Sequence, residues 1–329
     1  MRDVSSLGEE RFLVTGAYGC IGTWVLREIL AEGAVAVAAD ITPGSSRLGL
    51  VLDDEHEERL VRAVVDVTDM AVLGRVLDEH AITRVIHLAA LQVPFCRADP
   101  PLGAAVNLVG TATVLEAVRQ RRDRIANVVY ASSIAAYDAP NGLPQPSMTA
   151  LPGTLYGIYK RAGEQVALRY WLDDGLPSIG LRPHTVFGPA RDQGLTSAPT
   201  MAMLAAAAAR SYAIPYGGLA QFQYAPDVAR AFIQAALADA QAASVYNLRG
   251  HACSIADVVA TIVRICPEAA GSISCAEMPL SFPPTVDSDG LEDAIGPLTE
   301  TPFATAVQET IDRFRLALAD RRIDPAILG

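Results

Sequence analysis

The chain has 329 residues, of which 51% are hydrophobic and 6% aromatic, with a formal net charge of −11. That length allows a large core and two closely joined lobes, and the composition suits a helix-and-sheet protein built on Ala, Val and Leu. An acidic balance without a basic cluster argues against nucleic acid or an anionic membrane as partner. The five cysteines (Cys20, Cys96, Cys253, Cys266, Cys275) are scattered and never form a CxxC pair, so reduced thiols are expected, with no disulfide frame and no metal site. No apolar stretch is expected to reach the ~20 residues that span a bilayer; the longest candidate covers residues 201–209. The opening MRDVSSLGEE lacks the hydrophobic run of a signal peptide. A soluble, cytoplasmic protein is expected.

In chain order, Arg11–Thr15 reads as a strand, residues 21–32 as a helix and 34–39 as a strand. Residues 62–65 form the next strand, Met70–Glu79 a helix and 84–89 a strand. A long helix is predicted over 103–121, a strand over 125–131, a helix over 155–171 and a strand at Ser178–Arg182. Strands that are apolar throughout belong in a parallel sheet covered on both faces, and their alternation with helices predicts a doubly wound Rossmann-type α/β fold. Beyond Arg182 the pattern loosens into a Gly/Pro-rich segment, an alanine helix at 200–210, a helix at 226–237 and a strand at 244–248 that can return to the main sheet. Residues 271–301 read mostly as loop, closed by a helix at 305–319. The expected division is a dinucleotide-binding domain over 1–182, joined by 225–248, and a smaller mixed α/β substrate lobe over 183–224 and 249–329.

The run Thr15-Gly16-Ala17-Tyr18-Gly19-Cys20-Ile21-Gly22 follows a strand and opens a helix. The first glycine permits a tight turn, the second lets backbone approach a pyrophosphate, and the third lets helix pack on strand. The helix N-terminus adds free N–H donors for phosphate. Asp40, 24 residues after Gly16, ends the next strand. A carboxylate there accepts from ribose hydroxyls and repels a 2′-phosphate, which favours NAD over NADP; Arg47 in the following loop is the one feature against it. A second pattern, Tyr156-Gly157-Ile158-Tyr159-Lys160, holds the only lysine in the chain. At i and i+4 on one helix face, the ammonium is expected to reach the phenol and lower its pKa from about 10, making an acid–base group for a secondary alcohol.

TGAYGCIG, Asp40, Asp66-Val67, His87-Leu88-Ala89-Ala90, the serine pair Ser132-Ser133, YxxxK and LRPHTVFGP stand in the order of the extended short-chain dehydrogenase/reductase family, which includes the NAD-dependent epimerases and dehydratases of nucleotide sugars. The chain resembles that family over roughly residues 10–320. The resemblance implies that Asp66 and Val67 contact adenine, that Leu88, Ala89 and Ala90 line the dinucleotide, and that Asn107 lies near cofactor and active site. It also implies that the Pro183 backbone meets the nicotinamide amide and that Lys160 bonds the nicotinamide ribose. Ser133, rather than Ser132, matches the catalytic serine or threonine. Ile134 and Ala135 stand where the family's sugar dehydratases carry an acidic pair, so dehydration by that route is not expected. The two long helices imply a homodimer through a four-helix bundle, with Val106, Val109, Val114, Leu115, Val118, Val166, Leu168 and Tyr170 supplying apolar faces.

Departures from the resemblance bear on the substrate. Thr185 stands where nucleotide-sugar members carry asparagine, Ala220 where they carry a diphosphate-binding arginine, and the stretch Leu280-Ser281-Phe282-Pro283-Pro284 is uncharged where they carry another. Arg191 is a candidate anion contact, and Gln92, His184 and Gln193 are candidates for substrate hydroxyls; Cys96 is expected to pack rather than react. The expectation is an NAD-dependent oxidoreductase using Ser133, Tyr156 and Lys160 on a secondary alcohol of a free sugar, sugar acid or lactone. An epimerase with transient hydride transfer is the alternative, and a non-catalytic NAD-sensing module a third.

Overall fold

Seven parallel strands build the main sheet of the computed structural model, which describes residues 4–137, 151–280 and 283–328. They are β1 (Arg11–Thr15), β2 (Val35–Asp40), β3 (Val61–Val64), β4 (Arg84–His87), β5 (Val128–Ala131), β6 (Ser178–Arg182) and β10 (Ala243–Asn247). Their order across the sheet is β10-β6-β5-β4-β1-β2-β3, so the chain reverses its direction of winding between β1 and β4. Open sheets of this kind bind ligands at the carboxyl edge beside that switch.

The central strands are buried along almost their whole length because both faces are covered, whereas the edge strand β3, Val-Arg-Ala-Val, alternates half-buried and exposed side chains. Phe12, Val14, Ala36 and Ala38 point to one layer, with Trp24 and Ile29 from the helix Cys20–Ala31 and Phe232 from Ala225–Leu237. Leu13, Val37 and Ala39 point to the other, with Leu73 and Leu77 from Met70–Glu79 and Val114, Leu115 and Val118 from Gly110–Arg119. Those last three side chains therefore serve this subunit's own core and not a free apolar face. Val109 and Leu168, by contrast, are 51% and 46% exposed.

The predicted helix over 103–121 is a composite. Pro100–Ala104 and Gly110–Arg119 are α-helical, and a π-helical turn, Ala105–Val109, lies between them. Asn107 Nδ2 donates to the Gly103 carbonyl at 3.0 Å and Thr111 Oγ1 to the Asn107 carbonyl at 2.8 Å, so side chains compete for the helix's own acceptors and widen one turn. The expectation that no stretch is long and apolar enough to span a bilayer is also corrected, since Pro100–Arg119 passes on length and composition. In the fold this run lies against the sheet.

A second core gathers three smaller strands, β7 (Thr185–Phe187), β9 (Leu219–Tyr224) and β11 (His251–Ser254), in the order β11-β9-β7. The parallel pair β8 (Tyr212–Ile214) and β12 (Ile273–Cys275) stands beside them. Phe187, Phe222 and Tyr224 pack there with Met203, Ile262 and Phe314. The helix Ile255–Ile265, absent from the sequence-based expectation, is capped by Ser254 and Asp257. Trp24 Nε1 donates to the Pro189 carbonyl at 3.0 Å and ties the first helix to the loop after β7.

Candidate active site

A cleft of about 620 Å³ runs along the carboxyl edge of the sheet, from the glycine turn and Asp40 to Ser133, Tyr156 and Lys160. At one end Gly16 turns with φ +64°, and a Cβ on it would lie 2.5 Å from the Ala89 nitrogen, so strand and loop meet there only through glycine. The helix Cys20–Ala31 begins at Gly19 with no side-chain cap, leaving first-turn N–H groups free at the cleft. Asp40 accepts from the Tyr18 amide at 3.0 Å and the Ile41 amide at 2.8 Å, which fixes its carboxylate beside the turn. Cys20, Ile21, Gly22, Asp66, Val67, Leu88, Ala89 and Ala90 all line this end. Burial pushes the Cys20 thiol up to about 12, so it stays protonated.

Arg47 lines the same end, but its guanidinium is engaged. It pairs with Asp192 at 2.8 Å and donates to the Tyr18 carbonyl at 3.1 Å, spanning from the loop after β2 to the loop after β7. The ordering of this pair was not legible in the sequence, since the partners are 145 positions apart.

At the other end, the strand β5 delivers Ser132 and Ser133, and the helix Leu155–Asp174 delivers Tyr156 and Lys160. Thr154 caps this helix by accepting from the Gly157 amide at 3.0 Å. A Cβ at Gly157 would lie 2.0 Å from the Ala135 carbonyl, so glycine lets the first turn close on the serine loop. The two serines diverge. Ser132 is buried and hydrogen-bonds Glu164, whereas Ser133 accepts from the Ala135 amide at 3.1 Å and lines the cleft with Tyr156.

Lys160 is not at the phenol oxygen. Its Nζ donates to the Ala131 carbonyl at 2.7 Å and stands 5.7 Å from the centroid of the Tyr156 ring. The expected lowering of the Tyr156 pKa is accordingly corrected: burial raises it, and the Ser133 hydroxyl and the charge of Arg191 only partly oppose that. Burial also brings Lys160 down to about 8. One turn further along the same face, Glu164 pairs with Arg182 at 2.6 Å and joins the serine loop to the residue before Pro183. Its position four residues after Lys160 was the available signal for it.

Other candidates fall on either side of the cleft wall. Asn107 is 1% exposed and does not line the cleft; it donates to the Leu91 carbonyl at 3.1 Å, holding the segment that does. Pro183 lines the cleft and its carbonyl accepts from the Ile134 amide at 3.2 Å. His184 lines the cleft, but both its ring nitrogens are partnered, by Thr185 at 3.1 Å and the Pro283 carbonyl at 2.7 Å, and burial brings it down to about 4, which favours the neutral ring. Cys96 is buried against Asn107, with burial raising its thiol. Gln92, Thr185, Arg191 and Gln193 line the substrate end. Ala220 packs into the core of the smaller lobe, and Gln221 and Gln223 face the other way, so β9 presents no charge on either face. Ser281 and Phe282 lie outside the described residues. Among the described residues no cluster of His, Cys, Asp or Glu is arranged to hold a metal.

A dinucleotide-binding fold with serine, tyrosine and lysine at the carboxyl edge defines the class. Residues 12–248 match the model of the NAD dependent epimerase/dehydratase family, and the chain belongs to it. UDP-glucuronate 4-epimerase 3 of Arabidopsis thaliana is 31% identical over 185 residues, which are 54% of this chain and 42% of that enzyme, so the match spans less than half of the relative. UDP-glucose 4-epimerase of Thermotoga maritima superimposes with a TM-score of 0.79 at 20% identity, covering 94% of this chain and 99% of that one. L-threonine dehydrogenase of Clostridium difficile gives 0.77 at 19% identity, covering 96% and 99%. At such identities the two structures share the fold.

Proposed function

We propose that the protein is an NAD-dependent oxidoreductase acting on a secondary alcohol of a small polyhydroxylated compound: a free sugar, sugar acid or lactone. The observation that carries this reading is the meeting of Ser133, Tyr156 and Lys160 in one cleft, with the sole lysine held on the Ala131 carbonyl behind the Tyr156 ring. The free first-turn amides, Asp40 and the length of the cleft fit a dinucleotide. NAD, when bound, supplies a hydride acceptor at its nicotinamide ring. Ser133 accepts from the Ala135 amide, so its own proton is free to orient the substrate oxygen or the phenol. As phenolate Tyr156 takes the alcohol proton during oxidation, and as phenol it returns one during reduction. Lys160 places a positive charge behind the ring and would reach a ribose hydroxyl. Engagement of Arg47 by Asp192 occupies a cleft-lining cation that would favour a 2′-phosphate, which supports NAD over NADP.

An epimerase of a sugar or nucleotide sugar is the second reading, favoured by the activity in the name of the Arabidopsis relative. The uncharged faces of β9 speak against a firmly held diphosphate. Free sugars, sugar acids and nucleotide sugars should be screened with NAD while NADH absorbance and product configuration are followed. Net NADH supports the dehydrogenase. Inverted product without NADH supports the epimerase, and micromolar affinity for UDP would restore a nucleotide-sugar substrate.

We further infer a homodimer through Pro100–Arg119 and Leu155–Asp174, whose exposed Val109 and Leu168 are joined by Leu172 at 63% exposure. Sedimentation at micromolar concentration should give about twice the 34.8 kDa chain mass; a monomer excludes the dimer.

A further inference from the structure

Arg191 is a cation in the cleft with no carboxylate partner among the described residues. Its terminal nitrogen donates to Thr196 Oγ1 at 2.8 Å, while its Nε is buried without a hydrogen-bond partner. The neighbouring Asp192 is taken by Arg47 at 2.8 Å. Gln92 Oε1 is likewise buried and unpartnered. The two groups face one small corner of the cleft. A Cβ built on Gly194 would lie 2.0 Å from Gln92 Oε1 and 3.7 Å from an Arg191 terminal nitrogen, so glycine is what lets both side chains pack at this loop beside the cleft. The corner belongs to the same cleft as Tyr156, and the charge of Arg191 acts on that phenol. Apart from Asp40 and Asp66 at the nucleotide end, no carboxylate lines the cleft among the described residues.

A buried N–H and a buried carbonyl oxygen left unpaired are costly to the free protein, and a ligand presenting the opposite groups removes that cost. We propose that Arg191 and Gln92 form a subsite for a 2-hydroxycarboxylate. The guanidinium takes the carboxylate, and the amide oxygen of Gln92 accepts from the hydroxyl on the adjacent carbon. One free cation matches one negative charge, which separates this ligand from a diphosphate. The inference rests on the polyhydroxylated-substrate reading above and narrows it to sugar acids and related hydroxy acids.

The test uses matched pairs that differ in the carboxylate: glycerate with glycerol, threonate with threitol, and gluconate with sorbitol. Heat-unfolding midpoints of the NAD-loaded protein are measured with each compound, and NADH formation is followed in parallel. At least one acid should raise the midpoint where its polyol twin does not. Arg191→Ala should abolish that rise, weakening the acid by at least about tenfold, while the shift produced by NAD alone is kept. Gln92→Leu should weaken the 2-hydroxy acid more than its 2-deoxy counterpart. Equal shifts from acids and polyols, or no shift from any acid, would overturn the subsite. Loss of the NAD shift in Arg191→Ala would also overturn it, assigning the arginine to the dinucleotide phosphates. Acid binding that depends on Arg191 without NADH formation would uphold the subsite and count against the dehydrogenase, so the two failures are distinct.

Discussion

The two ends of the cleft differ in how they treat their own polar groups. At the dinucleotide end, Asp40 accepts two backbone amides, Arg47 is spent on Asp192 and the Tyr18 carbonyl, and the glycine turn is packed on Ala89. At the substrate end, Arg191 Nε and Gln92 Oε1 are buried with no protein partner. The first end is set before any ligand arrives, because a common cofactor rewards a preformed mould. The second is completed by its ligand, and its unpaired atoms describe what that ligand carries.

Removing one oxygen at the junction of the two ends gives the largest expected effect. Tyr156→Phe should lower turnover by about 10³-fold through loss of proton transfer, with NAD binding nearly unchanged. Single-turnover rates and a direct NAD titration on the variant separate the two. Substantial turnover would mean another group carries the proton, and a large loss of NAD affinity would mean the two ends are not separable.

Lys160 stands between the ends and gives the next effect. Burial lowers its pKa from 10.5 to about 8. Below pH 8 the amine is charged in both folded and unfolded chains, so the cost of burying the charge is present in full. Between pH 8 and 10.5 the unfolded chain holds a proton that the folded one has lost, and stability from this group rises with pH. The full change is roughly 3 kcal/mol. Urea unfolding of the wild type and Lys160→Met across pH 7–10 should show this rise in the wild type alone. Parallel curves would contradict burial of a charged amine.

The dinucleotide end alone is probed by cofactor choice. NAD should bind at least about tenfold more tightly than NADP, a difference of ~1.4 kcal/mol, because the Asp40 carboxylate lines the cleft beside the glycine turn and Arg47 is engaged. Fluorescence titration with both cofactors measures the ratio. Equal affinity would show that Arg47 leaves Asp192 for the 2′-phosphate.

The main sheet was legible because most of its strands are short, predominantly apolar runs between helices, and the glycine turn and the tyrosine–lysine pair are local spacings. Arg11–Thr15, Met70–Glu79 and Ser178–Arg182 match their predicted bounds. The π turn at Ala105–Val109 was not legible, since it follows from which carbonyls Asn107 and Thr111 take. The helix Ile255–Ile265 was legible in principle: Ser254 and Asp257 form a reciprocal cap, and Ile255, Val258 and Ile262 are its buried stripe. In the site, helix periodicity put Lys160 on the face of Tyr156 but said nothing of the Ala131 carbonyl, which comes from another strand and takes the ammonium.

Lys160 is also the only side-chain amine in the chain, and it is 5% exposed. Every other basic side chain besides histidine is a guanidinium, which acyl transferases and amine-directed labels do not recognise. Apart from the N-terminus, lysine acetylation, ubiquitin conjugation and succinimide labelling thus meet a protein with a single address, folded away behind the Tyr156 ring. Any such modification found on this chain would be a record of that helix having opened.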